Sequence, residues 1–201
     1  VLTPPNITVG DGGLTIDGGD LTLTLVHTPG HTEDHFSIWI PELRIVLAAD
    51  AAEQPWPHVD TPEGIAKARA SLVRLRELGP RHVLPCHGDT TEPALLERNI
   101  AYLDAVAANP ELSIAEAAKI AGVSVEELDP IYHDFHVDAL AASAQLLRIG
   151  EFTGRLEEVV HAAANLLVQR ERDVATDARL EQDRHRVDGH VPQELAGGED
   201  G

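Results

Sequence analysis

The sequence predicts a layered α/β (α+β) fold, a sheet with helices packed on its face, followed by a helical subdomain. Three observations predict it. Up to Ala49 the apolar side chains alternate with period two, the signature of strands. From Thr61 they recur at helical spacing, broken once by the short apolar stretch His82 to Pro85. After Asn109-Pro110 only helical patterns remain.

The elements follow in order. A strand over Leu14 to Ile16 is bracketed by the turn clusters Asp11-Gly12-Gly13 and Asp17-Gly18-Gly19-Asp20. Leu21, Leu23 and Leu25 alternate with Thr22, Thr24 and Val26, which predicts a strand to His27. Phe36, Ile38 and Ile40 alternate with Ser37 and Trp39 in the next. Pro41-Glu42 turns the chain into a strand over Leu43 to Ala49. Sequential strands of this kind pair as a meander. Thr61-Pro62-Glu63 opens a helix, with Thr at the cap and Pro in the first turn. Ile65, Ala68, Leu72, Leu75 and Leu78 share its inner face, and Gly79-Pro80 stops it. His82 to Pro85 reads as a short buried strand, and Glu92 to Ala108 as a helix with Leu95, Leu96, Ile100, Leu103 and Val106 inward. Strand, helix, strand makes a crossover unit. Ser113 with Glu116, and Ser124 with Glu127, both match the capping box. Further helices are expected over Phe135 to Ile149 and Arg155 to about Arg170, and an acidic, disordered tail from about Glu171. The expected organisation is therefore 1–108, 109–170 and 171–201.

Composition limits function. Hydrophobic residues make up 43% but aromatics only 3%, so the core is built from Ala, Val, Leu and Ile. The formal charge is -19, from 34 acidic and 15 basic residues, which argues against a nucleic-acid or anionic-membrane partner. The single cysteine, Cys86, excludes an intrachain disulfide, fits a reducing, cytoplasmic compartment and is expected as a small buried core residue. No apolar run approaches the ~18 residues of a membrane span. The chain starts at Val1 and contains no Met, so it reads as N-terminally incomplete.

The candidate chemistry lies at strand ends. His31 follows the strand that ends at His27, Asp50 follows Ala49, and His87 follows Pro85. A water-activating metal needs several His, Asp or Glu donors aimed at one point, with a position left open. Strand ends suit this, because the sheet fixes the backbone while the loops bring side chains together. Ser113 to Leu128 also has the outline of a helix-turn-helix. Its second helix would carry Glu126 and Glu127, with Asp129 just beyond, where a DNA reader needs basic or amide side chains.

Thr28-Pro29-Gly30-His31-Thr32, then Ala48-Ala49-Asp50, then Pro85-Cys86-His87-Gly88, in that order and strand context, resemble the C-terminal half of the metallo-β-lactamase superfamily of metal-dependent hydrolases. The resemblance spans about residues 6–108 and implies an αββα sandwich. It implies that His31 binds a first metal, Asp50 bridges as the catalytic metal ligand, and His87 binds a second. The metals would be Zn²⁺, two in the complete protein, with Mn or Fe as alternatives. A metal-bound hydroxide would attack a small ester, thioester or lactone. Trp56, His58, His35 and His133 are the residues expected on the substrate side. Two departures stand out. The family's HxHxDH motif is absent from these residues, and with it four ligands and a partner sheet, which leaves an open apolar face. Ala49 stands where glycine is usual before the Asp, a change read as mild. The expected partner is a small-molecule substrate, without nucleic acid or membrane, and a homo-oligomer is allowed. The competing reading is a non-catalytic interaction or assembly module derived from the fold.

Overall fold

The period-two stretches form one five-stranded sheet in the computed structural model, which describes residues 7–148. Strands β1 (Leu14–Asp17), β2 (Thr22–His27), β3 (Phe36–Ile40) and β4 (Ile45–Ala49) pair antiparallel in sequence order. Helix α1 (Pro62–Glu77) then crosses over, and β5 (His82–Pro85) lies parallel to β4 at the edge. Parallel neighbours need such a crossover, and the helix supplies it.

The register sorts the side chains into two faces. Leu14 pairs with Leu25, Leu25 with Ile38, Ile38 with Leu47, and Leu47 with Leu84, so these leucines and isoleucines share one face. None of them is fully buried: Ile16 on that face is 46% exposed and Leu84 37%. Among the described residues this face is partly exposed, with no residue on it fully buried. β5 is consequently not the buried strand expected from its sequence. Only Val83 is buried, because β5 is an edge strand with one uncovered face.

Val46, Ala48 and Val83 point the other way. They join one core with Ile65, Ala68, Leu72 and Leu75 of α1 and with Leu95, Leu96, Leu103 and Val106 of α2 (Ala94–Ala108). Thr61 caps α1 by accepting the Gly64 N–H at 3.1 Å, and Pro62 occupies the first turn. Helix α3 (Ile114–Ala121) carries the full capping box of Ser113 and Glu116.

The second capping pattern fails. Val125–Glu127 is a single 3₁₀ turn, and the Ser124 hydroxyl bonds the Glu126 carboxylate rather than a backbone N–H. Pro130 is the physical reason: a proline biases the residue before it away from the helical region, so the turn cannot propagate. The two-helix outline of a DNA reader is thereby lost. Pro130 instead opens the next helix, α4, which is helical through residues 130–148 and starts before the expected Phe135. Asp129 caps it by accepting the Ile131 N–H at 3.0 Å. Ala139 and Ala142 of α4 join the core shared by α2 and α3. No described helix is long and apolar enough to cross a membrane. The helix expected over Arg155 to Arg170 and the acidic tail lie outside the described residues.

Candidate functional site

Each of the three strand-end residues is held by a separate device. The turn after β2 is pinned to α1: Ser71 Oγ donates to Pro29 O at 2.8 Å, and Gly30 approaches so closely that a Cβ there would lie 2.5 Å from Ala68 Cα. Only glycine fits this contact. His31 follows, its Nδ1 3.4 Å from His58 O, with the His58 and His35 rings at centroid distances of 5.8 and 6.5 Å.

β4 ends differently. The β4–β5 register shifts between Leu47 and Ala49, and Ala49 adopts φ +48°, in the left-handed region. This corrects the reading of Ala49 as a mild replacement for glycine, since a Cβ in that region costs roughly 1–2 kcal/mol. The strained bend sits immediately before Asp50. Because β5 runs parallel to β4, the residues past both strand ends emerge together, and His87 Nε2 lies 3.6 Å from Asp50 Oδ1.

Hydrogen counting fixes the state of His35. Ser37 Oγ donates to Ala48 O at 3.1 Å. That uses its only proton, so at the 3.0 Å contact Thr28 Oγ1 donates to Ser37. Thr28 can then only accept at its 2.8 Å contact with His35 Nδ1, so Nδ1 carries the ring proton and Nε2 is left as a bare acceptor. Partial burial holds the His35 pKa below its ordinary value, although the Asp50 carboxylate pulls it upward. His35 is thus a neutral imidazole wired through Thr28 and Ser37 to the end of β4.

The remaining candidates are placed unevenly. His58 stacks on Phe135 at 4.3 Å and meets Asp138 Oδ2 at 3.3 Å, so α4 clasps the loop that carries it. His133 lies exposed on α4 and makes no contact with the His31, His35 and His58 cluster. Trp56 does not wall a cleft. It is fully buried and stacks on Tyr102 at 5.0 Å and 12°, because the Pro-flanked loop turns its ring inward onto α2. Cys86 is exposed rather than buried, since it lies past the end of an edge strand. Loss of solvent on one side of its sulfur, then Asp50, which accepts its S–H, and Glu53 push its pKa upward, keeping it a thiol.

Sequence reasoning missed three residues. Glu53 is 2% exposed, its Oε2 has no hydrogen-bond partner, and burial followed by the Asp50 charge raises its pKa to about 8. Asn99 holds the Glu53 backbone, and Gln54 accepts from the Asp89 and Thr90 N–H groups. The only linear signal is the apolar setting of Ala51-Ala52-Glu53 directly after Asp50. Beside His87 opens a cavity of about 470 Å³, lined by Gln54 and Asp89 on one side and by Glu127, Leu128, Asp129 and Tyr132 on the other.

The donor types suit a metal, with imidazoles and a carboxylate at neighbouring strand ends. Their number falls short, because among the described residues no three His, Cys, Asp or Glu side chains converge closely enough to hold an ion.

Residues 1–87 match the family model of the metallo-beta-lactamase superfamily. This part of the chain is similar in sequence to that superfamily. Over 78 residues the chain is 33% identical to the beta-lactamase-like protein 2 homolog of Caenorhabditis elegans, covering 39% of this chain and 26% of the relative. A metallo-beta-lactamase family protein of Thermus thermophilus matches 74% of this chain and 51% of its own, at 21% identity and TM-score 0.52. A beta-lactamase domain protein from Burkholderia ambifaria matches 75% and 49%, at 21% identity and TM-score 0.54. The chain thus spans about a quarter of the curated relative and half of each solved structure. The metallo-β-lactamase fold likeness takes in more of the chain than residues 1–87 alone supply.

Proposed function

We propose that this chain carries the substrate-facing part of a metal-dependent hydrolase, with His31, Asp50 and His87 as its share of the ligands and Zn²⁺ as the metal. The observation that carries the reading is the 3.6 Å approach of Asp50 to His87 from adjacent parallel strand ends, with the Asp50 charge also acting on His35, whose ring lies 6.5 Å from that of His31. The further ligands would come from sequence outside these residues. When bound, Zn²⁺ polarises a carbonyl and brings the pKa of water near ~7.

The chain's own groups divide the remaining work. Asp50 supplies a carboxylate held at a strained bend, His87 an imidazole beside it, and His35 a neutral acceptor nitrogen. The cavity next to His87 takes the substrate. Three of its lining residues, Asp89, Glu127 and Asp129, are carboxylates and none is Lys or Arg. Such walls repel phosphate-rich ligands, which favours a small neutral or cationic ester, thioester or lactone over nucleic acid.

Co²⁺ titration followed by visible absorption tests the reading. His31→Ala, Asp50→Asn and His87→Ala should each weaken binding by more than the roughly tenfold typical of an outer-shell change, and His133→Ala should not. Unchanged affinity in all three variants overturns the assignment. The uncovered apolar sheet face favours a second reading, an assembly module without metal. That reading predicts no Co²⁺ binding by either this chain or a longer reading frame containing it.

A further inference from the structure

We propose that Gln54 is the positioning residue for His87, an inference that rests on the hydrolase reading for its consequence but not for its geometry. The backbone N–H of Gln54 donates to His87 O at 3.1 Å. Its side-chain Oε1 accepts from the N–H groups of Asp89 at 3.3 Å and Thr90 at 3.2 Å. One residue therefore binds the turn on both sides of Gly88. The fit is close: a Cβ on Gly88, whose φ is +105°, would lie 2.4 Å from Gln54 Cβ and 3.1 Å from Oε1. The turn wraps the Gln54 side chain with no space for any other residue at 88.

Gln54 is itself held from behind. Asn99, fully buried in α2, accepts the Glu53 N–H at Oδ1 (3.0 Å) and donates from Nδ2 to Glu53 O (2.9 Å) and Pro55 O (3.0 Å). These bonds fix the residues flanking Gln54, so a rigid helix, a buried amide and a glutamine lead in sequence to the His87 turn. His87 needs this support. Its side chain is 63% exposed, and among the described residues its ring makes no hydrogen bond, with Asp50 at 3.6 Å as its ion-pair neighbour. With so little contact of its own, the ring is aimed by its backbone, and Gln54 sets that backbone. A ligand held in place before metal arrives binds with less ordering cost.

Two variants separate positioning from mere packing. Gln54→Ala removes the acceptor. Gln54→Glu keeps an oxygen at the same reach for both N–H groups. On the full chain, amide hydrogen exchange at Asp89 and Thr90 and ¹³C relaxation of the His87 ring are read by NMR, alongside Co²⁺ affinity and urea stability. Gln54→Ala should speed exchange at both amides roughly tenfold. It should also loosen the His87 ring and weaken Co²⁺ binding roughly 10–100-fold. Gln54→Glu should restore exchange and ring order. If Gln54→Ala leaves ring order and exchange unchanged, or if both variants lose them alike, the proposal is wrong. Should neither the parent chain nor a longer reading frame containing it bind Co²⁺, the hydrolase reading loses its support, while ring order and exchange still decide whether Gln54 aims His87.

Discussion

Glu53 makes folding pH-dependent in a direction that can be worked out. Its carboxyl is buried three residues past Asp50, with Oε2 unpartnered, and its pKa rises from 4.5 to about 8. The native state therefore keeps a proton that the unfolded chain releases. Between about pH 4.5 and about pH 8 the native state binds one more proton than the unfolded state, so unfolding free energy falls with pH at about 1.4 kcal/mol per unit. This group's contribution is fully present below the unfolded pKa and is lost once pH passes the folded one. The rise from 4.5 to about 8 corresponds to at most about 5 kcal/mol. The perturbation is Glu53→Gln, which keeps the shape and cannot ionise. It leaves an extra buried N–H, a penalty of about 1–3 kcal/mol that does not vary with pH. The assay is urea denaturation of both proteins at steps from pH 5 to pH 9, and the readout is the slope rather than the offset. The difference in stability, variant minus parent, should climb with pH and level off above about pH 8. Parallel curves across that range would refute the claim that Glu53 is protonated in the native state.

Two further outcomes follow from the strand ends. Ala49→Gly should raise unfolding stability by roughly 0.5–1 kcal/mol, because relief of the left-handed strain outweighs the added chain entropy of glycine; a lower urea midpoint contradicts it. Thr28→Val keeps the branched shape and removes the hydroxyl that accepts the His35 Nδ1 proton, so ¹⁵N NMR of the ring should show the proton moving to Nε2, with about 1–3 kcal/mol of stability lost. An Nε2 proton already present in the parent would refute the hydrogen count.

Much of this was legible in the sequence where one local rule decides the outcome. β2, β3 and β4 show period two because one face packs on helices, and α1 announces itself through Thr61 and Pro62. His31, Asp50 and His87 stood out as candidates because each lies within four residues of a strand end, and parallel pairing of β4 and β5 brings the last two together. The errors came where two local signals competed. Ser124 and Glu127 match a capping pattern, but Pro130, three residues on, prevents the helix and starts another. Trp56 sits in a proline-flanked loop with no periodicity, so its direction is set by Tyr102, 46 positions away. The Asn99 and Gln54 hydrogen bonds span 46 and 35 residues, a range that no window along the chain can register.

Several of the costs in this fold lie beside the strand-end donors, although Arg44 also holds a left-handed φ and Trp56 Nε1 is also buried without a partner. Ala49 holds a left-handed bend, Glu53 buries an unpartnered carboxyl, and Gly30 and Gly88 sit where any side chain would clash. All four lie within three residues of His31, Asp50 or His87. Gly30 and Gly88 meet structural demands, whereas a glycine at 49 and an apolar residue at 53 would serve a purely structural module better. Strain of about 1–3 kcal/mol per site persists only where surrounding structure enforces it, and it tends to gather at functional positions. An assembly module would be expected to place its cost on the surface it presents, here the face of Leu14, Leu25, Ile38 and Leu47. That face has regular pairing, and its cross-strand register from Leu14 to Leu47 carries no bulge. The left-handed Ala49 and the buried Glu53 carboxyl, both within three residues of Asp50, therefore accord with the proposed role of the strand ends.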